Sequence, residues 1–202
     1  MPLDAAAVSA TAARRRTACR SLLRQVHAIL DQEGVTPSAL HAIKLKLVAL
    51  AKRTDLFPSG DFAMPETEGR NHILEVEDND GLGLYLTIGL LGKEAAPHDH
   101  GIWCVNAAVS GQERHVMWRR TDDGAKPGHA TIEKIGEVMV EPGRGFAMAN
   151  HDIHSTLVVG DAPHIGLALY GFALARFPSV VWYHQDFASV RPMPSRRGPG
   201  QA

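Results

Sequence analysis

The sequence predicts a mainly β domain, a sandwich or barrel of short strands behind two α-helices, and three observations carry that prediction. Apolar residues recur at helical spacing only near the N-terminus. Beyond Phe57-Pro58-Ser59-Gly60 the pattern changes to short apolar runs, and Gly, Asp and Pro separate those runs at regular intervals. Many short strands with turn residues between them pack as an antiparallel sandwich or barrel.

From about Thr11 to Gln32, Leu22, Leu23, Val26, Ile29 and Leu30 fall at helical spacing and Gly34 acts as a stop. A second helix is predicted from Pro37 to about Lys52. Thr36 serves as its N-cap, with proline in the first turn, and Leu40, Ile43, Leu45, Leu47, Val48 and Leu50 form its apolar surface. The predicted strands are 72–76, 84–91, 103–109, 113–119, 131–140, 145–148, 155–159, 165–172 and 180–183. Asn79-Asp80-Gly81, Asp122-Asp123-Gly124 and Gly160-Asp161 read as hairpin loops. The proline- and glycine-rich segment 191–202 reads as a flexible tail. The expected organisation is one domain over 1–190, with helices over about 11–53 and a barrel over about 70–185.

A chain of 202 residues with 45% hydrophobic content can bury one substantial core. Its 22 acidic and 21 basic residues nearly cancel, so no global field recruits nucleic acid or a membrane surface, and the expected partner is a small molecule. No run approaches the ~20 apolar residues needed to span a bilayer. Arg14, Arg15 and Arg16 follow an Ala-rich start, but Asp4 and the lack of a continuous apolar stretch argue against a secretory signal. Cys19 and Cys104 form no CxxC pattern, which fits a reducing, cytoplasmic setting.

The most informative segment is Gly92-x5-His98-Asp99-His100-x3-Cys104-x6-Gly111, followed far downstream by His154. Alternate side chains of a strand leave the same face, so His98 and His100 can present two imidazoles to one metal while Asp99 points away. Pro97 and the run Ile102-Trp103-Cys104-Val105 place the pair where a loop meets a buried strand. His27, His41, His72, His115 and His129 have no partners at ligand spacing and read as surface or core residues. Trp103 and Trp118 read as barrel packing, with Trp103 adjoining the metal strand.

This frame resembles the first motif of the cupin superfamily, and Gly136-x5-Pro142 with a later histidine resembles the second. Cys104 stands where cupins usually carry a glutamate ligand, a substitution that resembles the cysteine dioxygenase family of thiol dioxygenases. Two leading helices, Arg70-Asn71 on an early strand and Tyr170 late in the barrel extend the likeness over roughly residues 22–170. The resemblance implies a cupin double-stranded β-helix barrel with N-terminal helices and Fe(2+) held by His98, His100 and a third histidine. Within His151-Asp152-Ile153-His154 it favours His154, which begins an apolar run. It further implies oxygenation by O2 of a small thiol carboxylate, cysteine or 3-mercaptopropionate, to a sulfinic acid. Arg70 is then the substrate-binding residue, and Tyr170 and Cys104 are the catalytic pair.

Three neutral imidazoles leave a ferrous ion its full double charge, which favours anionic ligands such as a thiolate. The chain departs from the family at Gly166-Leu167-Ala168-Leu169-Tyr170, where Ser-x-His-x-Tyr is common, and at Glu68, where a tyrosine often stands. The missing relay is to be rebuilt, if at all, from His164, Trp182, Tyr183 or His184. Two rival readings keep the barrel: a metal-dependent cupin enzyme of another reaction class, such as a ring-cleaving dioxygenase or an isomerase, and a non-catalytic cupin that binds a small ligand.

Overall fold

Alanine is the strongest helix former, and the Ala-rich start extends the first helix well before Thr11. In the computed structural model, which describes residues 5–176, 180–184 and 187–191, α1 spans Ala5–Glu33 and α2 spans Pro37–Ala51. Thr36 caps α2 as expected, its hydroxyl accepting from the Ala39 amide at 3.1 Å. Two single 3-10 turns follow, Thr54–Leu56 and Ser59–Asp61. Arg15 fastens them to α1: its guanidinium donates to the Leu56 carbonyl at 2.9 Å and to Asp61 at 2.8 Å, and lies 4.7 Å from the Phe62 ring centre.

The strands are β1 (Arg70–Val76), β2 (Gly83–Gly89), β3 (Glu94–Asp99), β4 (Cys104–Ser110), β5 (Gln112–Arg120), β6 (Ile132–Val140), β7 (Gly145–Met148), β8 (Ile153–Val159), β9 (His164–Tyr170), β10 (Val180–His184) and β11 (Phe187–Arg191). They form two sheets whose paired strands all run antiparallel, in the orders β1-β2-β9-β4-β7 and β11-β10-β3-β8-β5-β6.

The larger core lies outside the barrel. Leu22, Leu23, Val26, Leu40, Ile43 and Leu47 of the helices pack with Leu84, Leu86, Ile88, Val105, Ala107, Leu167 and Leu169 of the first sheet. Each fully buried leucine there contributes about 1.5–3 kcal/mol relative to exposure. Alternation then sends the intervening residues of β2, β4 and β9 into the barrel. β2 is accordingly buried over most of its length, because one face meets the helices and the other the barrel interior.

Three expectations need adjustment. β3 carries His98, yet Glu94-Ala95-Ala96-Pro97 has the composition of a loop; it pairs with β8 through a register shift between Ala95 and His98. Gly160-Asp161 is not a hairpin loop: β8 and β9 belong to different sheets, so it arches between them. Trp103 packs in the core shared with the helices rather than against the metal strand. The predicted tail lies, from Pro192 onward, outside the described residues. No helix among the described residues is long and apolar enough to cross a membrane.

Candidate metal centre

β3 and β8 are neighbours in the second sheet, and their register sets His98 directly opposite His154. His100 follows one residue after the end of β3 and turns its ring edge-on to His98, with ring centres 4.5 Å apart. The three Nε2 atoms converge. His98 and His100 are separated by 3.0 Å, His98 and His154 by 3.1 Å, and His100 and His154 by 3.2 Å. His151 takes no part; its Nδ1 lies 3.1 Å from Asp99, whose side chain points away from the cluster. The choice between His151 and His154 therefore falls to His154 within this group.

These separations suit a metal ion. Metal–nitrogen bonds of about 2.1 Å meeting at right angles put the nitrogens about 3.0 Å apart, whereas tetrahedral angles give about 3.4 Å. The observed triangle matches one face of an octahedron more closely. Burial, followed by the neighbouring imidazoles, holds the His154 pKa well below its usual value, so its ring stays neutral and keeps a lone pair to give. At His98, Nδ1 donates to the Ala96 carbonyl at 2.8 Å, which leaves Nε2 as the lone-pair nitrogen. His98, His100 and His154 can thus hold a metal, with no carboxylate in the set.

Cys104 is fully buried and lies outside that group. Burial pushes its thiol up to about 12, against a weak opposing contact from Asn106 Nδ2 at 3.6 Å, so it stays protonated. Tyr170 is its register partner across β4 and β9, and the Tyr170 ring lies 5.7 Å from that of His100. The two expected catalytic residues are therefore cross-strand neighbours, and Tyr170 stands beside His100.

Arg70 is not brought to the cluster. Asn71 and Ile73 line the cavity, so Arg70 and His72 leave the opposite face of β1; His72 meets Phe62 and the Ala63 carbonyl there. Arg70 pairs with Ile88 and Tyr170 with Gly83, five residues apart along β2. That is roughly 16 Å in the strand direction alone.

Four further residues border the site, and the sequence suggests a role only for His164 and Trp182, as parts of a rebuilt relay. Trp182, opposite His98 on β10, covers the His98 ring at 4.7 Å. Tyr85 is the register partner of Ala168 across β2 and β9 and meets Tyr170 edge-on at 6.0 Å, its hydroxyl accepting from the Leu174 amide at 2.8 Å. His115, 1% exposed, sets its Nδ1 3.2 Å from His154 Nδ1 and its Nε2 2.8 Å from Glu113. His164 does not rebuild the relay to Tyr170, since it starts β9 while Tyr170 ends it. Gly166 instead makes room for it: a Cβ there would stand 2.7 Å from His164 Nε2 and 3.1 Å from Thr87 Oγ1. The cavity around these residues measures about 1100 Å³ and runs from Glu94 and Glu113 to Tyr170 and Trp182.

No protein-family model matches the chain, and no curated protein matches it. Among solved structures it is similar to an oxalate oxidase in complex with glycolate, at 16% identity and a TM-score of 0.39, covering 50% of this chain and 46% of that one. It thus spans about half the length of that enzyme. It is also similar to a cupin superfamily protein from Desulfitobacterium hafniense, at 13% identity and a TM-score of 0.38, covering 56% of this chain and 85% of that one. A third is an RmlC-like cupin protein from Ralstonia eutropha, at 12% identity and a TM-score of 0.41, covering 67% of this chain and 76% of that one. The two antiparallel sheets face each other as a β-barrel. Its interior carries a three-histidine site suited to a metal.

Proposed function

We propose that this protein is an iron-dependent thiol dioxygenase that converts a small thiol carboxylate, such as cysteine or 3-mercaptopropionate, to its sulfinic acid with O2. The observation that carries this reading is a set of three converging imidazoles, without a carboxylate, beside the cross-strand pair of Cys104 and Tyr170. Ferrous iron, when held by His98, His100 and His154, supplies the open positions and the redox chemistry for joining dioxygen to a thiolate. In the overall reaction RSH and O2 give RSO2H. Both oxygen atoms end on sulfur, which loses four electrons as dioxygen gains four, so no external reductant is needed.

The chain's own residues have separate tasks in this reading. The neutral histidines leave the centre cationic, which draws the substrate sulfur in as its anion. Cys104, held as a thiol, does not compete for the metal. Tyr170 offers its hydroxyl to the reacting group, and Trp182 shields the His98 side from water. Arg70→Ala is expected to change KM for a carboxylated thiol by less than about two-fold, given its place on the far face of β1. A rise of ten-fold or more, absent for a neutral thiol, would make Arg70 the carboxylate anchor after all.

A second reading, a metal-dependent cupin enzyme acting on a substrate without a thiol, is favoured by Gly166 and Ala168, which provide no side-chain hydrogen bond beside Tyr170. Oxygen uptake by anaerobically iron-loaded protein decides between them. Cysteine, 3-mercaptopropionate, cysteamine and a thiol-free carboxylate are compared side by side, with the product identified by mass. One sulfinate formed per O2 consumed from a carboxylated thiol is the expected result. Full iron loading without uptake on any thiol would overturn the proposal in favour of the second reading.

A further inference from the structure

His115 lies one strand from the metal ligands and was not distinguished by spacing, yet it is the most enclosed histidine of the described residues, at 1% exposure. It stands between the Phe146 ring, 4.8 Å away, and the His154 ring, 5.3 Å away, so its own ring has little freedom to turn. Its two nitrogens meet different partners. Nε2 is 2.8 Å from a carboxylate oxygen of Glu113, and Nδ1 is 3.2 Å from Nδ1 of His154.

The direction of each hydrogen bond follows from what each group can do. An ionised carboxylate only accepts, so the proton of a neutral His115 sits on Nε2. Nδ1 of His115 is then the lone-pair nitrogen, and the close contact with His154 is a hydrogen bond only if His154 Nδ1 donates. A neutral imidazole protonated at Nδ1 has its lone pair at Nε2, the atom that converges with His98 and His100. Glu113 is suited to be the fixed end. Burial raises its pKa and the hydrogen bond from His115 lowers it, with the net held below the usual carboxylate range.

We infer that His115, oriented by Glu113, is a positioning residue that fixes His154 in the tautomer able to bind metal through Nε2. The inference rests on the reading of His98, His100 and His154 as a metal site. At His98 the same task is performed by the Ala96 carbonyl, so two of the three ligands are set by an acceptor behind the ring. His154 is on the middle strand of its neighbourhood, with its Nδ1 turned to another side chain rather than to backbone, and a dedicated side-chain acceptor takes the carbonyl's place.

Two substitutions and one spectroscopic measurement test this. Asparagine at position 115 keeps an acceptor oxygen close to where His115 Nδ1 stands, whereas leucine keeps bulk and removes the acceptor. His115→Leu is expected to weaken Fe(2+) binding by about 10–100-fold, measured anaerobically against a competing chelator, while His115→Asn stays within about three-fold of the unmodified protein. In the metal-free unmodified protein, ring nitrogen-15 shifts are expected to show the His154 proton on Nδ1. Equal affinities for the leucine and asparagine variants, or a His154 proton found on Nε2, would overturn the assignment. The tautomer is read on the unmodified chain, so the test stands even if His115→Leu does not fold. If the unmodified protein takes up no Fe(2+), the metal reading fails, while the tautomer measurement still decides the inference.

Discussion

His100→Ala is expected to abolish metal retention and, with it, any metal-dependent turnover. The substitution removes one corner of a triangle whose other nitrogens are 3.1 Å apart, and among the described residues no other ligand joins the group. Cys104 is a buried thiol outside the group, and Asp99 is committed to the Gly101 amide and to His151. Loss of a supporting contact to a metal ligand alone typically costs about 10–100-fold in affinity, so loss of a ligand should exceed 100-fold. Stability should change little, because His100 stands past the end of β3 rather than in a ladder. Iron per chain after desalting, alongside the circular dichroism of the metal-free protein, checks both halves. An unchanged iron content would remove His100 from the ligand set.

Gly111→Ala is expected to cost roughly 3 kcal/mol or more of stability. Gly111 joins β4 to β5 at φ +70°, a conformation costly to residues with a Cβ, and the added carbon would stand 2.3 Å from the Pro163 carbonyl oxygen and 2.9 Å from the His164 Cα. Both are backbone atoms of the segment entering β9, so relief requires moving a strand of the first sheet. For a chain of this size that corresponds to a fall of roughly 6–12 °C in Tm. A Tm within a degree or two of the unmodified protein would show that the turn relaxes at little cost.

Legibility in the sequence differed by element for physical reasons. The helices and most strands were visible because their apolar periodicity is the same surface that they bury, as in Leu167 and Leu169 of β9. β3 was not, since Glu94-Ala95-Ala96-Pro97 has little strand propensity and is held by its neighbours β8 and β10. The Gly160-Asp161 turn looks like a hairpin because turn chemistry is local, whereas the decision to pair with β2 and β4 instead of β8 is made across the barrel.

At the site, the spacing of His98 and His100 and the preference for His154 follow from alternation along one chain segment and from the family likeness. Glu113 and His115 of β5, Tyr85 of β2 and Trp182 of β10 reach the same cavity from three strands, and nothing in their local sequence marks the register that brings them there. Arg70 shows the converse. Its dipeptide suggested a role, yet one position of strand alternation separates it from the cavity-lining Asn71.

Strand β9 turns Leu167 and Leu169 to the helices and Gly166, Ala168 and Tyr170 to the barrel. The residues that hold the strand in place and those that border the reacting centre therefore alternate without overlapping. Inherited variation at the second set can alter which molecules the cavity accepts while the first set goes on securing the fold. The two small residues beside Tyr170 are then vacant ground on which a new substrate preference can evolve, and Gly166 is the more constrained of the two because His164 already leans over it.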